Sequence, residues 1–353
     1  MRKETKFIWF DFDNAPHVSV LLPIVNEMRN RGYNTILTAR DKSETKELLY
    51  LYNEKFKIIG KSFPKNRFLK LYYTLRRALM LVHYLRKGFN KKISLFVCHG
   101  SRGAVVASWL MRIPSVVLGD YEYSNPIFGN IFATKVFMPN LFSKNKLKNT
   151  GIIIRKADFY PGIKEQIYIN SDVKKENIFK FIKIDRNKII ITLRPPSVTA
   201  HYHNPKSEII MRGILDKMSR YKDKIFIIIL PRTKKQGDDI SNFVRQRSIP
   251  FLILEKPLRG IDLISNSDLV LGGGGTITRE AAVLGVPSYS FFMGPKGLVD
   301  EYLEKKGRLI FIDSISNINK LRFEKKHKEI GILENNSKKT ISFLCDRLES
   351  FTS

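Results

Sequence analysis

The chain has 353 residues, 43% hydrophobic and 11% aromatic, which is enough to bury a sizeable core in about two domains and excludes a largely disordered protein. Lys and Arg number 62 against 33 Asp and Glu, so the net charge is +29, a balance that bears on partners rather than fold: nucleic acid, an anionic membrane surface or a phosphorylated substrate. Cys98 and Cys345 are too few for a disulfide scaffold and suit a reducing cytoplasm, and no apolar run of ~18 residues is present to span a bilayer.

Taken in chain order, the segment KFIWF before Asp11 is too short for the apolar core of a signal peptide and reads as a first strand. Asp11 and Asp13 follow as an Asp-x-Asp pair. A haloacid-dehalogenase-type phosphatase would need Thr or Gly-Thr next. Here Asn14-Ala15-Pro16-His17 follows, with Asn14 or Ala15 as cap and Pro16 in the first helical position, so the pair opens a strand-to-helix loop. The helix carries Leu21, Leu22, Val25 and Met28 at helical spacing and stops at Gly32. Next come the strand NTILTA, a helix opened at Ser43 by a near-ideal capping box, the strand FKIIG and a long helix near 67–87. The strand ISLFVCH, a helix from Arg102 and the strand PSVVLG complete this half.

Strands alternating with helices predict a parallel, doubly wound sheet. The pattern weakens between about 156 and 187, where the domain junction is placed. A second series follows: KIIITL, a helix in 207–220, KIFIIIL, a helix in 236–247, PFLIL, DLVLGGGG, a helix from Thr278, PSYSFF and RLIFI. The predicted domains are 1–165 and 166–335, with a last helix in 336–353 returning to the first domain.

The most informative segment is SDLVLGGGGTITREAAVLGVP. A strand ends in Gly272, Gly273, Gly274 and Gly275, then Thr276, then a helix holding Arg279 and Glu280. Glycines let a ligand approach the backbone, and the helix N-terminus offers N–H groups and partial positive charge to a diphosphate. Glu280 suits two vicinal ribose hydroxyls.

This segment resembles the nucleotide-binding signature of two-domain nucleotide-sugar enzymes of the glycosyltransferase-B architecture. Among these are the lipid-linked peptidoglycan N-acetylglucosaminyltransferase and the non-hydrolysing UDP-N-acetylglucosamine 2-epimerases. The resemblance implies that Gly273, Gly274, Gly275 and Thr276 meet a diphosphate and that Glu280 holds the ribose. Across nearly its full length the chain resembles the domain-of-unknown-function 354 family of bacteria and archaea, on DNAPHV, RGYNTILTARDKSET, HGS, YPGIKE, RPPSVTAHYHN, LPRTKKQ and GGGGTITREAAVLGVP. That assigns a family and not a reaction. The implied fold is α/β: two Rossmann-like, doubly wound domains facing across a cleft. The metal-binding Asp-x-Asp of the other glycosyltransferase architecture belongs to a single domain with a mixed sheet and does not fit.

Ligands of open α/β sheets bind beyond the carboxyl ends of strands, which nominates the loops there. His17, as a neutral imidazole, is the expected catalytic base, with Asp13 orienting it or acting as the base itself. Asn14, His99, Gly100 and Ser101 are expected to face sugar or acceptor. Asp120 and Glu122 end another strand; comparable loops in the epimerases carry acidic residues that act on the sugar, so Glu122 joins the catalytic candidates. Arg194, Ser197 and Thr199, and beyond the next strand Arg232, Lys234 or Lys235, suit phosphate contacts. His201 and His203 form a His-x-His, but no four-ligand zinc set is readable. No cofactor or metal is expected, because several cations and a helix N-terminus can stabilise a leaving nucleotide.

Between Glu54 and Asp120 the chain has no acidic residue, and its centre, KNRFLKLYYTLRRALMLVHYLRKGFNKK, interleaves apolar and basic side chains. Such a helix suits an anionic membrane surface, or a core helix with snorkelling basic ends. No nucleic-acid module accompanies it. The expected function is therefore metal-independent sugar transfer from a UDP-linked donor to a glycan or polyprenyl-linked acceptor, in the cytoplasm at the inner face of the membrane. The alternatives are a nucleotide-sugar 2-epimerase, although the Gly-Thr-Arg-Pro-Glu run of that family is missing, and a non-enzymatic membrane- or nucleic-acid-binding protein.

Overall fold

The computed structural model describes residues 6–61, 67–89, 92–124, 126–148, 150–170, 177–180, 182, 184–197, 204–254, 258–325, 331–334 and 336–352. Two units partition the chain: Met1–Tyr168 with Asn336–Ser353, and Ile169–Asn335.

In the first unit the described residues form seven strands: β1 (Phe7–Phe12), β2 (Asn34–Asp41), β3 (Lys57–Lys61), β4 (Ile93–Cys98), β5 (Ser115–Leu118), β6 (Lys135–Pro139) and β7 (Ala157–Tyr160). All pair in parallel, in the order β3-β2-β1-β4-β5-β6-β7. Trp9 in central β1 lies opposite Ile36 on one side and Phe96 on the other. Helices α1 (Ala15–Asn30), α2 (Ser43–Leu51), α3 (Arg67–Phe89) and α4 (Arg102–Leu110) make the crossovers. Buried Thr74, Arg77, Ala78, Leu81, Val82 and Leu85 of α3 recur at helical spacing and turn one stripe of it inward. The cap of α2 is Lys42, so that helix opens without the capping box read at Ser43. Strands β6 and β7 lie past the last strand that alternation alone picks out; each is only a few residues long and carries mixed side chains.

The C-terminal helix Ser337–Glu349 belongs to this unit and packs on α1. Arg31, just past α1, pairs with Asp346 at 2.6 Å and Glu349 at 3.0 Å. Ser337 and Thr340 donate to the carbonyls of Ile167 and Pro161.

The second unit repeats the design with β8 (Ile189–Arg194), β9 (Ile225–Ile229), β10 (Phe251–Ile253), β11 (Leu269–Gly272), β12 (Ser288–Ser290) and β13 (Ile310–Phe311), all parallel, ordered β10-β9-β8-β11-β12-β13. Its core is rich in isoleucine, with Ile191, Ile214, Ile227 and Ile229 fully buried. Helices Gly260–Ser265 and Leu298–Lys305 stand where the sequence pattern had shown none.

Both sheets reverse strand order once: between β1 and β4, and between β8 and β11. At such a switch point the two outgoing loops part and leave room for a ligand. Below the β1/β4 opening lies a buried polar knot. Asp11, wholly buried, takes both terminal nitrogens of Arg77 at 2.8 and 3.0 Å and hydrogen bonds from the hydroxyls of Thr38 and Ser101. Trp9 Nε1 donates to Thr38 Oγ1 at 2.8 Å, and Arg77 Nε to the Ile59 carbonyl at 2.8 Å. The Arg77 stem passes over Gly60, where a Cβ would lie 2.9 Å from it, and φ of +83° suits glycine at that position. Arg77 therefore leaves the basic surface that the sequence suggests for its helix.

Removing one member of such a pair strands a buried charge, at a cost of ~3–5 kcal/mol. Arg77→Leu is expected to lower the stability of the first unit by that amount, and Arg77→Leu with Asp11→Leu by less. Trp9 and Trp109, both in this unit, make tryptophan fluorescence during urea unfolding the measurement; an unchanged midpoint in the single variant would show that the knot does not hold the unit together.

Candidate functional site

At the β1/β4 switch point the loop after β1 meets the loop after β4. Asn14 caps α1, Pro16 enters its first turn, and His17 follows, buried. His17 packs against His99 with ring centroids 4.9 Å apart and ring planes tilted by 44°. The two imidazoles differ in what they face. His17 meets a donor at each ring nitrogen, the Asp13 N–H at Nδ1 (3.3 Å) and the Asn14 amide nitrogen at Nε2 (3.4 Å), so either nitrogen can carry the proton of the neutral ring. His99 Nδ1 lies 2.7 Å from the Leu118 carbonyl, an acceptor only, so it holds the proton and leaves the lone pair on Nε2. That nitrogen is 3.8 Å from Asp120 Oδ1, and Asp120 also pairs with buried Lys164. Lys42 donates to Asn14 Oδ1. His99 thus presents a basic nitrogen beside His17, the expected proton acceptor.

Other candidates of this unit take structural parts. Asp13 pairs with Arg40 at 3.0 Å and lies 3.8 Å from Arg77. Ser101, wholly buried, gives its hydroxyl to Asp11 and receives Arg77 at 3.1 Å, which turns it away from sugar or acceptor. Gly100 adopts φ +78° with open space around it, a left-handed turn that favours glycine. Glu122 is buried in the turn after β5.

At the β8/β11 switch point three loops are stitched together. Arg194, ending β8, donates to the carbonyls of Leu230 at 3.0 Å and Pro231 at 3.3 Å, so one of its nitrogens braces the loop after β9 instead of waiting for phosphate. Arg232 Nε donates to Pro195 at 3.2 Å, and Gln236 Nε2 to Pro196 at 2.9 Å. Ser197 is partly exposed beyond them; Thr199, His201 and His203 lie outside the described residues.

The four glycines divide. A Cβ on Gly272 would come 2.6 Å from Thr278 Cγ2, and one on Gly273 2.8 Å from the Pro196 backbone, so these two serve the protein's own packing. Gly274 and Gly275 are partly exposed; a Cβ there would meet guanidinium atoms of Arg232 and Arg279, each at 3.1 Å. Gly274 is the N-cap, with extended backbone, and the helix Gly275–Leu284 begins three residues before the predicted Thr278, which brings Thr276 into its first turn. Its opening N–H groups have no intrahelical partner and point out of its end beside Arg232. Arg279 is committed to buried Asp300 at 2.6 and 2.8 Å. Buried Glu280 lies against Gly260, where a Cβ would sit 3.1 Å from its Oε2.

Arg40, Lys42, Arg77 and Lys164 are the charged members that sequence reasoning missed. Each is distant in sequence from its partner, and the signal for Arg40, Lys42 and Lys164 was that they lie within the family stretches RGYNTILTARDKSET and YPGIKE; Arg77 had none. Among the described residues, no three His, Cys, Asp or Glu side chains group to hold a metal ion.

Burial, then His99 and Lys164, hold His17 well below the ordinary imidazole value of 6.5. Burial also lowers His99, with Asp120 opposing and Lys164 adding to it. Both folded values lie below the unfolded one, so the unfolded chain binds more protons in between. The stability they confer is complete above pH 6.5 and is lost as pH falls through 6.5 toward the folded values. The urea midpoint of the first unit should therefore drop on acidification from about pH 7 to 5, and less so in His17→Gln. An acid limb identical in wild type and variant would remove His17 from this role.

The chain is 26% identical over 335 residues to an uncharacterized protein of Methanocaldococcus jannaschii, covering 93% of this chain and 94% of that one. Its fold is similar to UDP-GlcNAc 2-epimerase of Neisseria meningitidis, solved bound to UDP-GlcNAc, with a TM-score of 0.72 at 15% identity over 98% of this chain and 100% of that one. It is similar to HepE of Anabaena, solved with UDP and glucose, at TM-score 0.57, 13% identity and 98% and 100% coverage. A glycosyltransferase of Rickettsia africae follows at TM-score 0.54, 11% identity and 98% coverage of each chain. Residues 6–349 match the model of a family described as protein of unknown function, DUF354, and the chain belongs to that family.

Proposed function

We propose that the protein is a nucleotide-sugar enzyme that transfers a glycosyl group from a UDP-linked donor to a hydroxyl of a glycan or polyprenyl-linked acceptor, in the assembly of cell-surface polysaccharide. The observation that carries this reading is the Gly274–Thr276 turn at the β8/β11 switch point, where helix amides open beside the Arg232 guanidinium and Glu280 follows on the same helix, its carboxylate against Gly260. Amides and a guanidinium suit a diphosphate, and a carboxylate suits the vicinal hydroxyls of a ribose. The solved relatives that hold UDP or UDP-GlcNAc support the choice of nucleotide.

The reacting groups are assigned to the first unit. His99 Nε2 takes the proton of the acceptor hydroxyl. The acceptor oxygen bonds to the anomeric carbon as the bond from that carbon to the diphosphate oxygen breaks. The electron pair leaves with the nucleotide diphosphate, whose charge is met by the Gly275 and Thr276 amides and by Arg232. Asp120 stabilises the imidazolium, and His17 packs against the His99 ring and holds it in place. No step in this reading runs through a metal ion.

A second reading is 2-epimerisation of the nucleotide sugar. It is favoured by the TM-score of 0.72 to the epimerase against 0.57 to HepE, and by buried Glu122 and Glu165 in the same unit as Asp120.

Calorimetric titration with UDP should show binding, weakened by ~1–3 kcal/mol in Glu280→Ala, the range for losing a charged hydrogen bond. His99→Gln should keep that affinity and lose turnover. With UDP-N-acetylglucosamine alone, a C2 epimer would establish the second reading, whereas product only with a polyprenyl acceptor would establish the first. A wild-type protein without affinity for any nucleotide diphosphate would remove both.

A further inference from the structure

Helix α3 has two apolar faces. One is the stripe from Thr74 to Leu85 buried against the first unit. The other is turned outward: Phe68 is 84% exposed, Leu79 63%, Tyr72 59% and Leu71 51%, with Leu69, Leu75 and Met80 also exposed. Phe68, Tyr72, Leu75 and Leu79 follow helical spacing and form a ridge nearly three turns long. Arg76, His83, Arg86 and Lys87 are exposed on the same helix. A soluble helix normally covers or replaces such side chains, and a ridge of large apolar groups bordered by cations is the pattern of a surface that meets a partner.

The chemistry around the ridge selects the partner. No acidic residue occurs between Glu54 and Asp120, so α3 and the segments before and after it carry no negative charge, in a chain of net charge +29. A second copy docking ridge to ridge would set cations against cations. A nucleic acid would answer the charge but not four large apolar side chains in a row. A bilayer rich in anionic headgroups answers both, because the apolar side chains enter the headgroup boundary while Arg and Lys stay with the phosphates. No helix of the described residues is long and apolar enough to cross a membrane, so the contact lies in the plane of the surface.

We propose that the exposed ridge Phe68-Tyr72-Leu75-Leu79 of α3, flanked by Arg76, Arg86 and Lys87, docks the first unit on an anionic lipid bilayer. This goes beyond the nucleotide-sugar reading and is tested with no nucleotide present. The full-length protein is sedimented with sucrose-loaded vesicles of phosphatidylcholine alone or with about 30% phosphatidylglycerol, a composition of roughly one anionic headgroup in three. Binding should require phosphatidylglycerol and weaken with salt. Arg76→Gln and Arg86→Gln should each lower the partition coefficient about fivefold, equivalent to ~1 kcal/mol per cation near the surface. Tyr72→Ser with Leu79→Ser, which keeps every charge, should lower it at least tenfold. These side chains are exposed, and an unchanged circular dichroism spectrum will show that the variants fold.

Three outcomes would overturn the proposal. One is no binding to phosphatidylglycerol vesicles at low salt. Another is undiminished binding by the serine variant, which would make the contact one of bulk charge alone. The third is failure to bind vesicles together with a dimer that Leu79→Ser dissolves, which would make the ridge a self-association face.

Discussion

Within each sheet every described strand runs parallel to its neighbours, and this constraint places the chemistry. In an all-parallel sheet every loop after a strand leaves by one edge, and where strand order reverses, two neighbouring loops leave in opposite directions. In the first unit that gap falls between β1 and β4, and the loops carry His17 and His99. In the second it falls between β8 and β11, where Arg194 and the glycine turn emerge. The polar knot of Asp11, Arg77, Ser101 and Thr38 then fixes the floor of the first opening by tying β1, β2, α3 and the start of α4 at one buried point. A single carboxylate with two guanidinium bonds and two hydroxyl bonds is nearly saturated, which is what allows a charge to remain at zero exposure.

Charge is distributed to different ends in the two units. At the β1/β4 opening Lys42 and Lys164 border two histidines that burial and Lys164 keep neutral, and His99 offers a basic nitrogen there. At the β8/β11 opening Arg194, Arg232 and Gln236 are turned first toward carbonyls, and the loops they join are thereby held in place before any ligand arrives. Positioning donors in advance avoids reorganisation when negative charge develops. The glycine turn works the same way: two of its residues close the packing, and the two that follow leave the backbone open beneath Arg232.

Much of this was legible in the residues. The apolar runs FIWF, IIITL and IFIII mark buried parallel strands, because a strand covered on both faces is apolar throughout. The run of strand, four glycines and helix marks a phosphate-type bend for a local reason: the cap, the first helical amides and Glu280 lie within a few residues of each other. Short elements were not legible. Strands β6 and β7 and the helices Gly260–Ser265 and Leu298–Lys305 owe their state to neighbours rather than to their own pattern.

The sequence by itself determined the family, the two α/β units and the glycine turn, since each rests on spacing within one segment. Tertiary structure alone decided what individual side chains do. Arg77, placed by its neighbours on a basic helix, became the buried partner of Asp11, 66 residues away. Ser101 moved from an expected sugar contact into that same knot, and the Leu118 carbonyl fixes the proton of neutral His99 on Nδ1 and leaves Nε2 basic. Whether a group is a charge, a donor or an acceptor depends on what lies within about 3 Å of it, and in a fold built from long crossovers those neighbours come from distant parts of the chain.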